Sequence, residues 1–126
     1  MSDKPIRIPG PDHPITIEPA SMRVKVSAGG HVIADTREAL VLREAAYPAV
    51  FYIPREHADM ALLTRTDHAS YCPYKGDAAY FSLPADVAGA ENAIWTYEAP
   101  YEPVAPIRDH LAFYADRVTI EELPLA

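Results

Sequence analysis

The sequence predicts an all-β fold, antiparallel sheets of short strands with one short helix. Three observations carry this. Apolar residues recur with a period of two in several short runs, the spacing of a half-buried strand. The chain has 13 prolines among 126 residues, about twice the usual ~5%, and they bracket those runs, where a long helix would be broken. Gly29-Gly30 supplies adjacent positions for positive φ, which a tight hairpin needs.

Taken in order, residues 1–15 carry Pro5, Pro9, Pro11 and Pro14 and read as an extended surface arm, because proline lacks the donor a sheet interior requires. Met22, Val24 and Val26 then alternate with Arg23, Lys25 and Ser27, a strand that turns at Gly29-Gly30 into a partner over 31–34. Residues 38–44 have helix formers, yet Leu40 and Leu42 oppose Val41 and Arg43, so the strand reading is preferred. Val50-Phe51-Tyr52-Ile53, between Pro48 and Pro54, is a β-branched and aromatic strand. His57, Met60 and Leu63 recur at spacings of three, which predicts a helical turn or two over 56–63. Residues 67–76 read as turn-rich. Strands follow over 78–83 and 93–97, then an irregular connection through Pro100, Pro103 and Pro106. Residues 111–114 and 118–123 read as a C-terminal hairpin around 115–117. The whole, 1–126, reads as a single domain.

Composition excludes several classes. One cysteine leaves no internal disulfide framework and no zinc site needing two thiolates. With 18 acidic against 11 basic residues, the net charge is −7, the wrong sign for a nucleic-acid protein. Almost all of that charge lies in residues 86–126, a solvated face or a surface for a basic partner. No apolar run has the length of a signal peptide or a membrane span, so the expected location is the cytoplasm. The glycines never form a phosphate-binding loop, and no serine stands in a nucleophile elbow. The five histidines are scattered, so no metal or cofactor is expected.

The string Tyr71-Cys72-Pro73-Tyr74-Lys75-Gly76 is the chemically suggestive one. An ammonium near a thiol lowers its pKa, and a turn at Pro73 and Gly76 could bring Lys75 back to Cys72. His68, or His57 or His110 from elsewhere, could serve as a base. Against this stands Cys72 as a small buried hydrophobe, with Lys75 exposed. Glu44, at a strand end among apolar residues, would have a raised pKa unless Lys75 or Arg55 pairs with it. Trp95 and Tyr97 share a face of their strand, and Tyr52, Tyr80 and Tyr114 are strand residues whose rings suit a pocket wall or a core.

These strings also resemble a known family. V-x-x-G-x-x-I-A-D-T around Val26 to Thr36, A-L-x-L-x-E ending at Glu44, V-F-Y-I-P at 50–54, C-P-Y-K-G at 72–76, W-x-Y at 95–97 and H-L-A-F-Y at 110–114 are similar to domain of unknown function 427. The resemblance spans roughly 22–118. It implies a β-tent fold, two antiparallel sheets meeting at an angle. Relatives of that shape often bind zinc through two Cys-x-x-Cys pairs or act on sulfur compounds, and this chain lacks both pairs. Nucleotidyl transfer is attached to the family's name, but that chemistry needs closely spaced carboxylates for metal ions, which the sequence does not supply. The resemblance implies a shared site of Glu44, Tyr52, Cys72, Lys75 and Trp95, joined by Asp35 and Tyr114.

The functional expectation is therefore a small-molecule site with thiol or lysine chemistry, in which Cys72, Lys75 and Glu44 are the catalytic residues, and with no nucleic-acid or membrane partner. Cys72 and Lys75 form its base, Glu44 is the acid/base or ion-pair partner, and Tyr52, Trp95, Asp35 and Tyr114 contact the ligand. The alternative is a non-catalytic binding or self-association module, a homo-oligomer.

Overall fold

The structure, a computed structural model, describes residues 4–125. It contains ten strands: β1 (Ile15–Pro19), β2 (Arg23–Ala28), β3 (His31–Thr36), β4 (Leu40–Glu44), β5 (Val50–Pro54), β6 (Thr64–Cys72), β7 (Gly76–Ser82), β8 (Ile94–Tyr97), β9 (His110–Phe113) and β10 (Thr119–Leu123). They form a seven-stranded sheet, in the order β1-β4-β5-β9-β8-β7-β6, and a three-stranded sheet, β10-β2-β3. Every pairing is antiparallel. The all-β, β-tent-like pair of sheets expected from the sequence is what the chain adopts.

The β2–β3 hairpin follows its pattern: Val24, Val26 and Ala28 are buried, and the residues between them are half-buried. Gly29 and Gly30 hold φ of 56° and 83°, the pair of positive values a type I′ turn requires. Ile33 and Ala34 are both buried because the register shifts opposite Val26 and Ser27. That bulge breaks the alternation and turns consecutive side chains inward.

The large sheet is apolar on both faces, which is why β4 looked ambiguous. Val41, Ile53, Phe81, Ile94, Leu111 and Phe113 pack with the small sheet. The intervening residues Leu42, Tyr52, Tyr80, Tyr97 and Ala112 form a second cluster on the other face, closed by Val104 and Ile107. A strand covered on both sides loses the polar half of its alternation.

The helical turn or two expected over 56–63 is present, as the 3-10 turns Arg55–His57 and Met60–Leu62. Other expectations need correction. The proline-rich connection coils into 3-10 structure over Glu102–Ile107. Residues 67–72 are not turn but part of β6, an edge strand exposed along most of its length, so burial leaves no period to read. The turn signal at Asp67 was a bulge: Arg65 faces Phe81 and Ala69 faces Ala79, with residues 66–68 set opposite Tyr80 alone. The C-terminal hairpin does not form. The turn after Tyr114 exists, with Arg117 N donating to Tyr114 O at 2.9 Å, but β9 lies in the large sheet and β10 pairs with β2 in the small one. The proline-rich arm ends in β1, which pairs with β4 at the sheet edge, where Pro19 costs no interior bond. No helix among the described residues is long and apolar enough to cross a membrane.

Candidate functional site

The second face of the large sheet is where the chemistry collects. The hairpin from β6 to β7 closes at the Cys72↔Gly76 pair. Gly76 takes φ of 108°, where a Cβ is strained. Lys75 N donates to Cys72 O at 3.2 Å, and Lys75 O accepts from Tyr101 N at 3.1 Å. Its backbone held on both sides, Lys75 points inward and is 7% exposed. The arm binds the turn from outside, through Arg7 N to Pro73 O at 2.9 Å and Tyr71 Oη to Pro5 O at 2.7 Å.

Lys75 Nζ donates to Glu44 Oε1 at 2.5 Å and lies 3.7 Å from Cys72 Sγ. Glu44 Oε2 accepts from His13 Nε2 at 2.7 Å, whose ring stacks on Tyr74 with centroids 4.0 Å apart. Burial pushes the Glu44 carboxyl up, but the hydrogen bonds from Lys75 and His13 outweigh it, and the group sits below the ordinary glutamate range. The ion pair is thus formed at neutral pH. Of the two cations the sequence offers Glu44, Lys75 is the one that pairs; Arg55 instead binds Thr96 and Glu98.

A cavity of about 220 Å³ opens in front of this pair. Glu44 and Lys75 make its polar end. Tyr52, Tyr80, Trp95 and Tyr97 are ring walls, Leu42, Pro48 and Val50 give an aliphatic side, and Tyr47 and Tyr114 stand at the rim. Trp95 Nε1 donates to Tyr52 Oη at 3.3 Å, and Tyr80 Oη shares a hydrogen bond with Ser70 Oγ at 2.8 Å. Trp95 and Tyr114 pack with centroids 4.7 Å apart. Burial raises the phenols of Tyr52 and Tyr97 well above the ordinary tyrosine range. Tyr114 is pushed up to about 12 by burial and by the Tyr80 hydroxyl beside it. All three stay neutral at physiological pH, available as hydrogen-bond donors.

Tyr97 has an unused hydroxyl. The residue is 7% exposed and lines the cavity, yet its hydroxyl has no hydrogen-bond partner among the described residues. Arg55 Nε is the one wholly buried side-chain polar atom among the described residues that lacks a partner, so the Tyr97 hydroxyl is not sealed off and keeps its donor for whatever fills the cavity. Lys75 resembles it in part: Glu44 and Cys72 take two of the three ammonium donors and leave a third, on a residue that lines the cavity.

Of the residues singled out from the sequence, Glu44, Tyr52, Lys75, Trp95 and Tyr114 meet around the cavity. Cys72 is adjacent but not in its wall: it contacts Lys75 and packs on the apolar cluster behind. Asp35 lies elsewhere, on the small sheet, where Arg23 grips both its oxygens at 2.7 and 2.5 Å. That hydrogen bonding holds its carboxyl below the usual range. None of the histidines considered as bases reaches Cys72: His57 binds Thr36, His68 packs on Tyr80 and His110 binds Arg108 O. The histidine that does arrive is His13, from an arm whose prolines gave no sign of a site. Tyr97 was legible only as Trp95's neighbour on one strand face.

Among the described residues, no group of three or more His, Cys, Asp or Glu side chains is arranged to hold a metal ion. A search of curated proteins finds no match to the chain. The family model described as "Domain of unknown function (DUF427)" matches residues 16–123, a span that includes all of the cavity wall, and the chain belongs to that family.

Proposed function

We propose that the cavity binds a small, uncharged, ring-bearing molecule whose hydrogen-bond acceptor is held by Lys75 and Tyr97. The observation that carries this is the unpartnered hydroxyl of Tyr97, a residue that is nine-tenths buried and lines the same space as Lys75. Both groups are donors at neutral pH, so they suit a carbonyl oxygen or a ring nitrogen. The Lys75–Glu44 pair is neutral as a unit, so a charged ligand would be desolvated with no counter-charge left to meet it. Flat aromatic walls favour a flat guest by stacking. Glu44 positions the ammonium, and Cys72 backs it from the other side. In this reading Lys75 contacts the ligand and Cys72 does not.

The lone tryptophan is a built-in reporter, because Trp95 lines the cavity. Benzamide, a flat ring with one carbonyl, is the first probe. Titration should change Trp95 fluorescence saturably, with a Kd of about 1 mM, equivalent to about 4 kcal/mol. Tyr97→Phe should weaken binding about tenfold. A saturable signal equal in wild type, Tyr97→Phe and Lys75→Met, or no saturable signal up to about 10 mM in folded protein, overturns the reading.

A further inference from the structure

A second space lies on the opposite face of the large sheet, between it and the small sheet. It holds about 330 Å³ and is walled by Val24, Val26, Phe51, Phe113 and Ile120, with Glu122 its one charged side chain. Pro48, Val50, Trp95 and Tyr114 line both this cleft and the cavity.

The strand register explains how two faces of one sheet share a wall. β5 and β9 pair only at Ile53↔Leu111 and Pro54↔His110. Continued, the antiparallel ladder would set Tyr52 against Ala112, Phe51 against Phe113 and Val50 against Tyr114. It stops short, so the sheet is not closed by hydrogen bonds along this stretch. The shared residues flank the break, Pro48 and Val50 on the β5 side and Trp95 and Tyr114 on the other. Polarity changes across it, from the ion pair and phenols of the cavity to the aliphatic and phenyl walls of the cleft. An unfilled apolar space forfeits packing contacts, which an apolar guest would restore.

We infer that cavity and cleft form one elongated site for an amphipathic ligand, with a hydrogen-bonding ring at Lys75 and Tyr97 and an apolar chain passing the break between β5 and β9 into the inter-sheet cleft. The inference rests on the reading of the cavity above and adds the class of ligand. Trp95 and Tyr114 sit where ring and chain join. The cavity end gives orientation, and the cleft gives affinity in proportion to chain length.

The test is a series of para-alkyl benzamides, methyl to hexyl, titrated against the full chain by calorimetry and Trp95 fluorescence. Burial of each methylene should tighten binding about fourfold until the cleft is full. Ala49 and Ala115 are exposed and line the cleft but not the cavity. Ala49→Phe and Ala115→Phe should therefore remove the chain-length gain and leave benzamide itself unaffected. Such a loss, seen in either variant, supports the inference. Benzamide binding with a flat alkyl series overturns it while the cavity reading stands. An alkyl gain that persists in both variants also overturns it, since the chain would then lie elsewhere. Failure of every probe, benzamide included, overturns both.

Discussion

Lys75 Nζ stands 2.5 Å from Glu44 Oε1, although the residues are 31 positions apart in the chain. Glu44 ends β4, and Lys75 is held on the turn before β7. The side chains are 15% and 9% exposed, so the pair is largely removed from water. Such pairs add little over a well-packed apolar alternative, but removing one partner strands the other.

Lys75→Met should accordingly destabilise the fold by roughly 2–4 kcal/mol, because Glu44 keeps only His13. The double variant Glu44→Gln/Lys75→Met should be less destabilised than the sum of the single variants. Urea unfolding of all four proteins gives the coupling. Additive effects would mean the pair has no energetic content.

The pH dependence follows from the direction of the Glu44 shift. Its carboxyl titrates below the ordinary value of 4.5 in the folded chain. The pair's stabilisation is therefore complete above about pH 4.5 and is lost as pH falls through the lower, folded value. Asp35 and Glu98 are shifted the same way by Arg23 and Arg65, so the wild type should lose stability in acid through several groups. The difference in Tm between wild type and Glu44→Gln isolates one of them. It should shrink as pH falls from about 5 to below about 4.

The two buried phenols should behave oppositely. Tyr97→Phe removes a hydroxyl that bonds nothing in the protein, so stability should hold within about 0.5 kcal/mol or rise. Tyr52→Phe takes away the acceptor of Trp95 Nε1 and should cost about 1–3 kcal/mol. A Tyr97→Phe variant as damaged as Tyr52→Phe would show that the Tyr97 hydroxyl has a partner in solution.

Gly76→Ala tests the turn that aims Lys75. At φ of 108° an added Cβ should cost about 1–3 kcal/mol of strain. The nearest heavy atom to that Cβ would be Ala99 O at 3.5 Å, an ordinary contact, so a loss would be conformational rather than steric. Thermal denaturation reads the effect.

Cys72 should react slowly. It packs on apolar residues behind Lys75, so iodoacetamide should modify the native thiol at least about tenfold more slowly than the urea-unfolded one. Rapid alkylation of native protein near pH 7 would restore the thiol chemistry that its ammonium neighbour suggested.

The strands and their turns were legible where local chemistry decides them. β2 and β4 follow from period-two runs, β5 from β-branched and aromatic residues between two prolines, and the Gly29-Gly30 turn that leads into β3 from the φ values only glycine adopts readily. β6 was not legible, because an exposed edge strand takes its structure from backbone pairing with β7 and shows no burial period. β10 was read as a strand with the wrong partner: its pattern marks a face to bury, and nothing local distinguishes β9 from β2. Asp35 drew interest through its motif, and Arg23, across the hairpin, claimed both its oxygens.

By itself the sequence determined the all-β class, the family, and the candidate residues of the turn and aromatic walls, since composition, local period and short motifs are properties of neighbours in the chain. Only the tertiary structure decided that Lys75 meets Glu44, that His13 completes the group, that Cys72 stands behind it and that Tyr97 keeps a free hydroxyl. Those contacts join distant segments whose meeting depends on strand order and register. The break between β5 and β9 belongs to the same class, for it exists only where two strands far apart in the chain begin to pair and then stop.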